Sequence, residues 1–271
     1  MLEKITYINH INEIIDGGKE GIYVNSNDLR DYAWDVKSSN NKISSFNKGI
    51  VSRTIPLYIY CNDAEEGMAI RNRLFEVVEK DVLAKEHGRI IIGDYYMKCY
   101  ITGSKKKKYL EKYLQLSLNV KTDYPEWVKE TTTAFNSEAG SDSEFLDYPY
   151  DYTYDYASEL NKAVVINNHF VPSNFRIIMY GLAVNPRLFI GGHEYNVNVT
   201  VGAGEYLTID SISKSIILTR NNGEQVNCFN LRNRDSYIFE KIGVGSNSVT
   251  CEGELKADIV LIEERSEPRW T

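Results

Sequence analysis

The sequence predicts a mainly β protein of two domains, with one long helix in the first and a jelly-roll-like β-sandwich as the second. Three observations carry this. A single long amphipathic run, Asp63–His87, stands in an otherwise strand-rich chain. Residues 161–271 are a train of short apolar runs separated by Gly- and Asn-rich turns, the spacing of a sandwich. A small, polar, acidic stretch, residues 136–160, divides the two.

Element by element, Ile5–Ile8 and Gly21–Asn25 read as short strands around the turn-like Asp16-Gly17-Gly18, and Tyr32–Lys37 as a third. Lys37–Lys48 is polar and is expected to be a long loop. Ile50–Cys61 is rich in Ile, Val, Thr and Tyr, as strands favour. Asp63 then caps the helix, with Glu66 completing a capping box. Gly67, Ile70, Leu74, Val77, Val78 and Val82 share one face, and His87-Gly88 supplies a C-terminal stop.

Ile90–Ile92 and Tyr95–Ile101 meet across Gly93-Asp94 as a hairpin. Ser104 and the four lysines Lys105–Lys108 are expected to form a basic turn, leading into the strand Leu110–Val120. In the second half the expected strands are Ala163–Ile166, Phe175–Tyr180, Leu188–Ile190, Tyr195–Thr200, Glu205–Ile209, Lys214–Thr219, Gln225–Phe229, Ser236–Glu240 and Ala257–Ile262. Gly202-Ala203-Gly204 lies between two of them with no helix behind it, so a tight hairpin is expected there rather than a phosphate cradle.

Composition narrows the function. The chain has 271 residues, 42% hydrophobic and 25% charged, enough for two ordinary soluble domains. No window approaches the ~20 apolar residues of a membrane span. Polar residues interrupt Met1–Asp16, so no signal-peptide core is expected and synthesis in a cytoplasm is. Residues 1–135 carry 20 Lys/Arg against 19 Asp/Glu, and residues 136–271 carry 11 against 19. That acidic balance argues against general nucleic-acid binding.

Reactive groups are sparse. Cys61, Cys99, Cys228 and Cys251 have no CxxC spacing, which favours small buried hydrophobes over a zinc site or disulfide framework. His10, His87, His169 and His193 form no HExxH pair, and no GxSxG elbow is present. No catalytic, cofactor-binding or metal-binding residue is therefore assigned. Asp147–Tyr156 alternates Tyr with acids, as an ordered linker or a sticky aromatic contact would, and lacks the glycine and terminal glutamate of an EF-hand. The sandwich strands hold no Trp; Trp34, Trp127 and Trp270 lie elsewhere, so an aromatic platform for sugar would fall to Tyr195, Tyr206 or Tyr237.

An ordered series of segments resembles the distal tail proteins (Dit family) of long-tailed, siphovirus-type bacteriophages. It comprises Phe46-x-x-Gly49-Ile50-Val51-x-Arg53-x-Ile55, Arg71-Asn72-Arg73-Leu74-Phe75-Glu76, Gly93-Asp94-Tyr95-Tyr96-Met97-Lys98-Cys99-Tyr100 and Thr122-Asp123-Tyr124-Pro125-x-Trp127. Gly204–Asp210 and the ending Glu263–Trp270 continue it, so the likeness runs along nearly the whole chain.

That resemblance implies a non-enzymatic hub without cofactors. A β-sandwich-like N-terminal domain, residues 1–135, would form a homo-hexameric ring, and a galectin-like sandwich, residues 161–271, would project outward beyond the linker 136–160. The ring would join the tail tube protein to the tail-associated tip protein and a receptor-binding protein, with DNA passing through its channel unread. The location implied is the virion tail tip. Arg71, Arg73, Tyr95, Tyr96, Lys105, Lys106, Lys107 and Lys108 are the candidates for ring interface or channel; the lysines would face either DNA or an acidic neighbour. The alternatives are a carbohydrate-binding module acting through the second sandwich and, last, a carbohydrate-active hydrolase, for which no acid/base pair can be placed.

Overall fold

The computed structural model describes residues 4–19, 21–24, 27–110, 112–137 and 163–270. The Tyr/acid tract and most of the acidic linker lie outside the described residues. The protein is mainly β, with one α-helix among the described residues. Among the described residues no helix is long and apolar enough to cross a membrane. Two compact units divide the chain: Met1–Lys129 with Glu264–Thr271, and Glu130–Glu263.

The first unit contains β1 (Ile5–Ile8), β2 (Ile14–Asp16), β3 (Ile22–Val24), β4 (Asp35–Ser39), β5 (Lys42–Asn47), β6 (Val51–Tyr60), α1 (Ala64–Ala84), β7 (Gly88–Ile92), β8 (Tyr95–Leu110) and β9 (Tyr113–Thr122), and the start of β10 (Trp127–Asn136). One sheet runs β8-β7-β1-β2, with β10 joining β8 at Val128↔Tyr96. The other runs β3-β6-β9-β8. β8 serves both: residues 95–99 pair with β7, and residues from Tyr100 onward pair with β9. Alternate residues such as Ile55, Leu57 and Ile59 of β6 and Leu114, Leu116 and Leu118 of β9 point into one apolar core.

α1 lies against β2, β6 and β8. Asp63 caps it as expected, its carboxylate accepting from the Glu66 amide at 2.9 Å. Glu66 reaches back one residue further than a capping box requires, accepting from the Asn62 amide at 2.7 Å. The buried face is Leu74, Val77, Val78 and Asp81, an i, i+3, i+4, i+7 set. Val82, expected inside, is turned out, because the eighth position of that set falls past the edge of the stripe. Burying each of the three apolar side chains contributes about 1.5–3 kcal/mol.

The helix also ends earlier than His87-Gly88. Lys85 takes the left-handed cap at φ 58°, its amide bonding to the carbonyls of Asp81 and Val82. Gly88 is instead the first residue of β7, and a Cβ there would overlap the Asp81 carboxylate and the Tyr7 hydroxyl.

Two further expectations are corrected. Lys37–Lys48 is not a loop: β4 and β5 form a hairpin whose two-residue turn, Asn40-Asn41, has φ 49° and 58°, the type I′ geometry that matches strand twist. Nor is Lys105–Lys108 a turn. These lysines lie within β8, paired Lys105↔Ser117, Lys106↔Leu116 and Lys108↔Gln115, and the chain reverses only between Leu110 and Tyr113. Backbone pairing to a strongly apolar partner strand outweighs the low strand preference of lysine.

The second unit takes the rest of β10 and adds β11 (Val164–Asn167), β12 (Asn174–Tyr180), β13 (Ala183–Val184), β14 (Arg187–Ile190), β15 (His193–Asn196), β16 (Thr200–Val201), β17 (Tyr206–Asp210), β18 (Ser215–Thr219), β19 (Gln225–Asn227), β20 (Gly245–Cys251) and β21 (Lys256–Arg265). A sheet in the order β19-β18-β17-β12-β21 and a second in the order β11-β20-β14-β15 share a core that includes Phe175, Ile177, Leu207 and Ile259 from one and Leu188, Ile190, Tyr195 and Val249 from the other. That is an antiparallel sandwich. Ser236–Glu240, expected as a strand, is irregular; Ile238 and Phe239 are buried there without pairing. Gly202–Gly204 does not close a hairpin either, since β16 pairs with β13 and β17 with β12 and β18.

Candidate functional site

Three exposed surfaces stand out in the first unit. The far half of β8 pairs only with β9, so Ser104–Leu110 forms an open sheet edge, every residue of it exposed. Four consecutive lysines occupy that edge. Lys106 Nζ lies 5.6 Å from the Tyr109 ring centroid, and Lys108 Nζ lies 5.9 Å from that of Tyr113. Among the described residues none of the four is in an ion pair. Lysine on an edge strand opposes adventitious strand pairing while leaving positive potential for a partner.

Beside this edge, Tyr113 meets Tyr60 at 5.1 Å and Tyr58 at 6.1 Å between ring centroids, and Tyr60 meets Tyr23 at 5.6 Å. Desolvation, then the Tyr60 and Tyr58 hydroxyls, pushes the Tyr113 phenol above its ordinary range.

The second surface is the outer side of α1. Met68, Phe75 and Val82 recur every seven residues and, with Leu83, are exposed. Of the sequence candidates, Arg71 is half-buried here, and Arg73 donates to the Ile14 carbonyl at 3.0 Å. Tyr95 belongs to the core, at 5% exposure. Tyr96 is half-buried with the Arg89 guanidinium 5.9 Å from its ring. Tyr96 and Lys105 are nine residues apart on one strand, roughly 30 Å at strand rise. The candidates thus lie on different parts of the unit: Arg71 and Arg73 on α1, Tyr95 and Tyr96 at the start of β8, and the four lysines on its far half.

The third surface was not anticipated: the β4–β5 hairpin, whose residues are exposed except for a half-buried Ser45. Val36 stands opposite Phe46 and Ser38 opposite Ile43. The base of the hairpin is held by Lys48, whose ammonium bonds Glu126 and Ser266 at 2.7 Å each and lies 4.4 Å from the Trp34 ring. The Asn40-Asn41 pair is the sequence signal that marks this element.

The second unit has a polar cleft of about 460 Å³, lined by Asn185, Arg187, Asn196, Asn198, Asn233 and Glu252. Arg187 is paired with two carboxylates there, bonding Glu194 through Nε at 2.5 Å and Glu252 through one terminal nitrogen at 2.8 and 2.9 Å. No aromatic ring lines the cleft, so the stacking surface that sugar rings use is lacking there. Tyr195, one of the proposed platforms, is buried with its hydroxyl on the Glu240 carbonyl at 2.8 Å. Among the described residues no group of three His, Cys, Asp or Glu is arranged to hold a metal ion.

With this geometry in view, comparison with known proteins gives a consistent fold. No family model matches the chain. No curated protein matches it either. Solved structures do. The SPP1 Dit protein (gp 19.1), a paradigm of the hub adsorption apparatus in phages infecting Gram-positive bacteria, superposes with a TM-score of 0.60 at 10% identity, over 96% of this chain and 99% of that one. A chain of the phage P2 baseplate in its activated conformation with Ca gives 0.62 at 12% identity, over 99% and 100%. The same baseplate with Sr gives 0.61 at 11%, with the same coverage. The chain has the fold of these phage proteins.

Proposed function

We propose that the chain is a structural hub of a bacteriophage tail tip, a distal tail protein whose homo-hexameric ring joins the tail tube to the tip and receptor-binding apparatus. The observation that carries this is the extent of the fold likeness. It spans both units and nearly all of the SPP1 and P2 chains, so the likeness takes in both units and not one common module. Function then resides in geometry rather than in reactive groups, which is the role such surfaces suit: a closed ring needs two unlike patches on each copy.

In this reading the lysine edge faces the channel, where positive charge accommodates DNA in transit without base-specific contact. The chain is made in the host cytoplasm, acts as a virion component and carries no catalytic role. Gold-labelled antibody on assembled tailed particles tests the placement. Label confined to the distal end of the tail is the expected result; label along the shaft, on the capsid, or absent from particles overturns it.

A further inference from the structure

We propose that Asn222, in the turn between β18 and β19, is a spontaneous modification site whose carboxamide is lost to water as ammonia, leaving aspartate or isoaspartate. This goes beyond the tail-hub reading and depends on no ring.

The chain contains one Asn-Gly and one Asp-Gly pair, Asn222-Gly223 and Asp16-Gly17. A following glycine leaves its own backbone nitrogen uncrowded, so that nitrogen can close a ring onto the side chain before it. The structure sets the two pairs apart. Residues 221–225 are all exposed, at the tip joining β18 to β19. The Gly223 amide donates to the Arg220 carbonyl and the Arg220 amide to the Glu224 carbonyl, both at 2.9 Å. Gly223, at φ 82°, is the left-handed residue of a three-residue hairpin loop. Apart from its chain neighbours, nothing lies within 4 Å of where its Cβ would stand.

Asp16-Gly17 is locked by comparison. Gly17 is buried and its amide donates to the Ile5 carbonyl at 2.8 Å. The Asp16 carboxylate lies 3.4 Å from the ammonium groups of both Lys4 and Lys19.

At Asn222 the side chain is already turned along the backbone, its Oδ1 accepting from the Glu224 amide at 3.0 Å. That oxygen takes up negative charge when the Gly223 nitrogen adds to Cγ. The donor that shapes the turn therefore also stabilises the tetrahedral species. Hydroxide removes the Gly223 amide proton, the N–Cγ bond forms, and the Cγ–Nδ2 bond breaks. Ammonia leaves carrying a proton from water. A further water opens the cyclic imide at either carbonyl, and nothing is oxidised or reduced. The Gly223 bond to Arg220 must open first, and an exposed loop tip opens at low free-energy cost.

Either product adds a negative charge close to Glu224. Isoaspartate also routes the main chain through the former side chain, which lengthens the loop that fixes the Thr219↔Gln225 register. β19 is the end strand of its sheet, so the loosening is expected to stay local.

The test follows the full-length parent and Asn222→Gln in alkaline buffer by peptide mass mapping and an isoaspartate assay. In the folded parent, conversion is expected at Asn222 ahead of every other asparagine and of Asp16, and faster as pH rises. Asn222→Gln, with an unfolding curve matching the parent, is expected to lose most of the isoaspartate signal. A folded parent that keeps the Asn222 amide overturns the proposal, and faster loss from the urea-unfolded chain would then show that the turn protects it. Conversion first at another site, or an unchanged isoaspartate signal in Asn222→Gln, overturns it equally. None of these outcomes bears on the ring.

Discussion

The Nδ1 atom of His10 lies 2.5 Å from Oδ1 of Asp81, joining the end of β1 to the inner face of α1 across 71 residues. Asp81 is fully buried, and its carboxylate also accepts from the His10 amide at 2.9 Å and, on the other oxygen, from the Tyr7 hydroxyl. Asn9 adds a bond to the Val77 carbonyl at 3.2 Å. A polar group thus sits in the middle of the helix's buried stripe because three donors converge there, and Gly88 leaves the room for it.

Replacing Asp81 with Ala is expected to destabilise the fold by about 1–3 kcal/mol for each buried donor left without a partner. Gly88→Ala is expected to cost about 1–3 kcal/mol by overpacking the same point. Chemical denaturation followed by fluorescence measures both, and the double variant should cost less than the two single losses added together.

Stability is expected to fall at alkaline pH. Burial, and then the hydrogen bond to Asp81, raises the Tyr7 phenol well above its ordinary value of 10.0. A group whose folded pKa is raised contributes stability that is complete below the unfolded value and declines as pH rises past it. The contribution of Tyr7 to the unfolding midpoint should therefore be level up to about pH 10 and decline beyond it. Tyr7→Phe should lower the midpoint at neutral pH and weaken this decline.

The two kinds of element differed in how openly the chain declared them. The α1 cap is written in Asp63 and Glu66, and the β7–β8 turn in Gly93-Asp94, because those residues act on backbone within their own reach. The β4–β5 hairpin escaped because Asn, Ser and Lys give a polar average that hides the face made by Val36, Ile43 and Phe46. Only the bulge, a property of pairing, aligns that face. The same holds for Lys105–Lys108, made strand by β9, and for Ser/Asn-rich β20, paired with β11 and β14. Of the site, the helix was legible as an element, but its exposed stripe was not, since Val82 and Asp81 exchange places relative to a simple apolar count.

Converting Lys106 and Lys108 to Val is expected to leave the unfolding free energy within about 0.5 kcal/mol of the parent, since both are exposed. It should increase aggregation in light scattering, because an open apolar edge strand recruits other strands. Unchanged scattering would argue that the lysines do not protect this edge.

Lys48→Ala is expected to lower stability by about 1–3 kcal/mol, since it removes a nearly buried ammonium from Glu126 and Ser266. Hydrogen exchange should accelerate through residues 35–47, whose base Lys48 anchors beside Trp34.

The most direct measurement is the mass of the purified full-length chain in solution, paired with particle imaging. A closed ring at six times 31.1 kDa with a central channel is the expected result. A strictly monomeric chain at high concentration would contradict it.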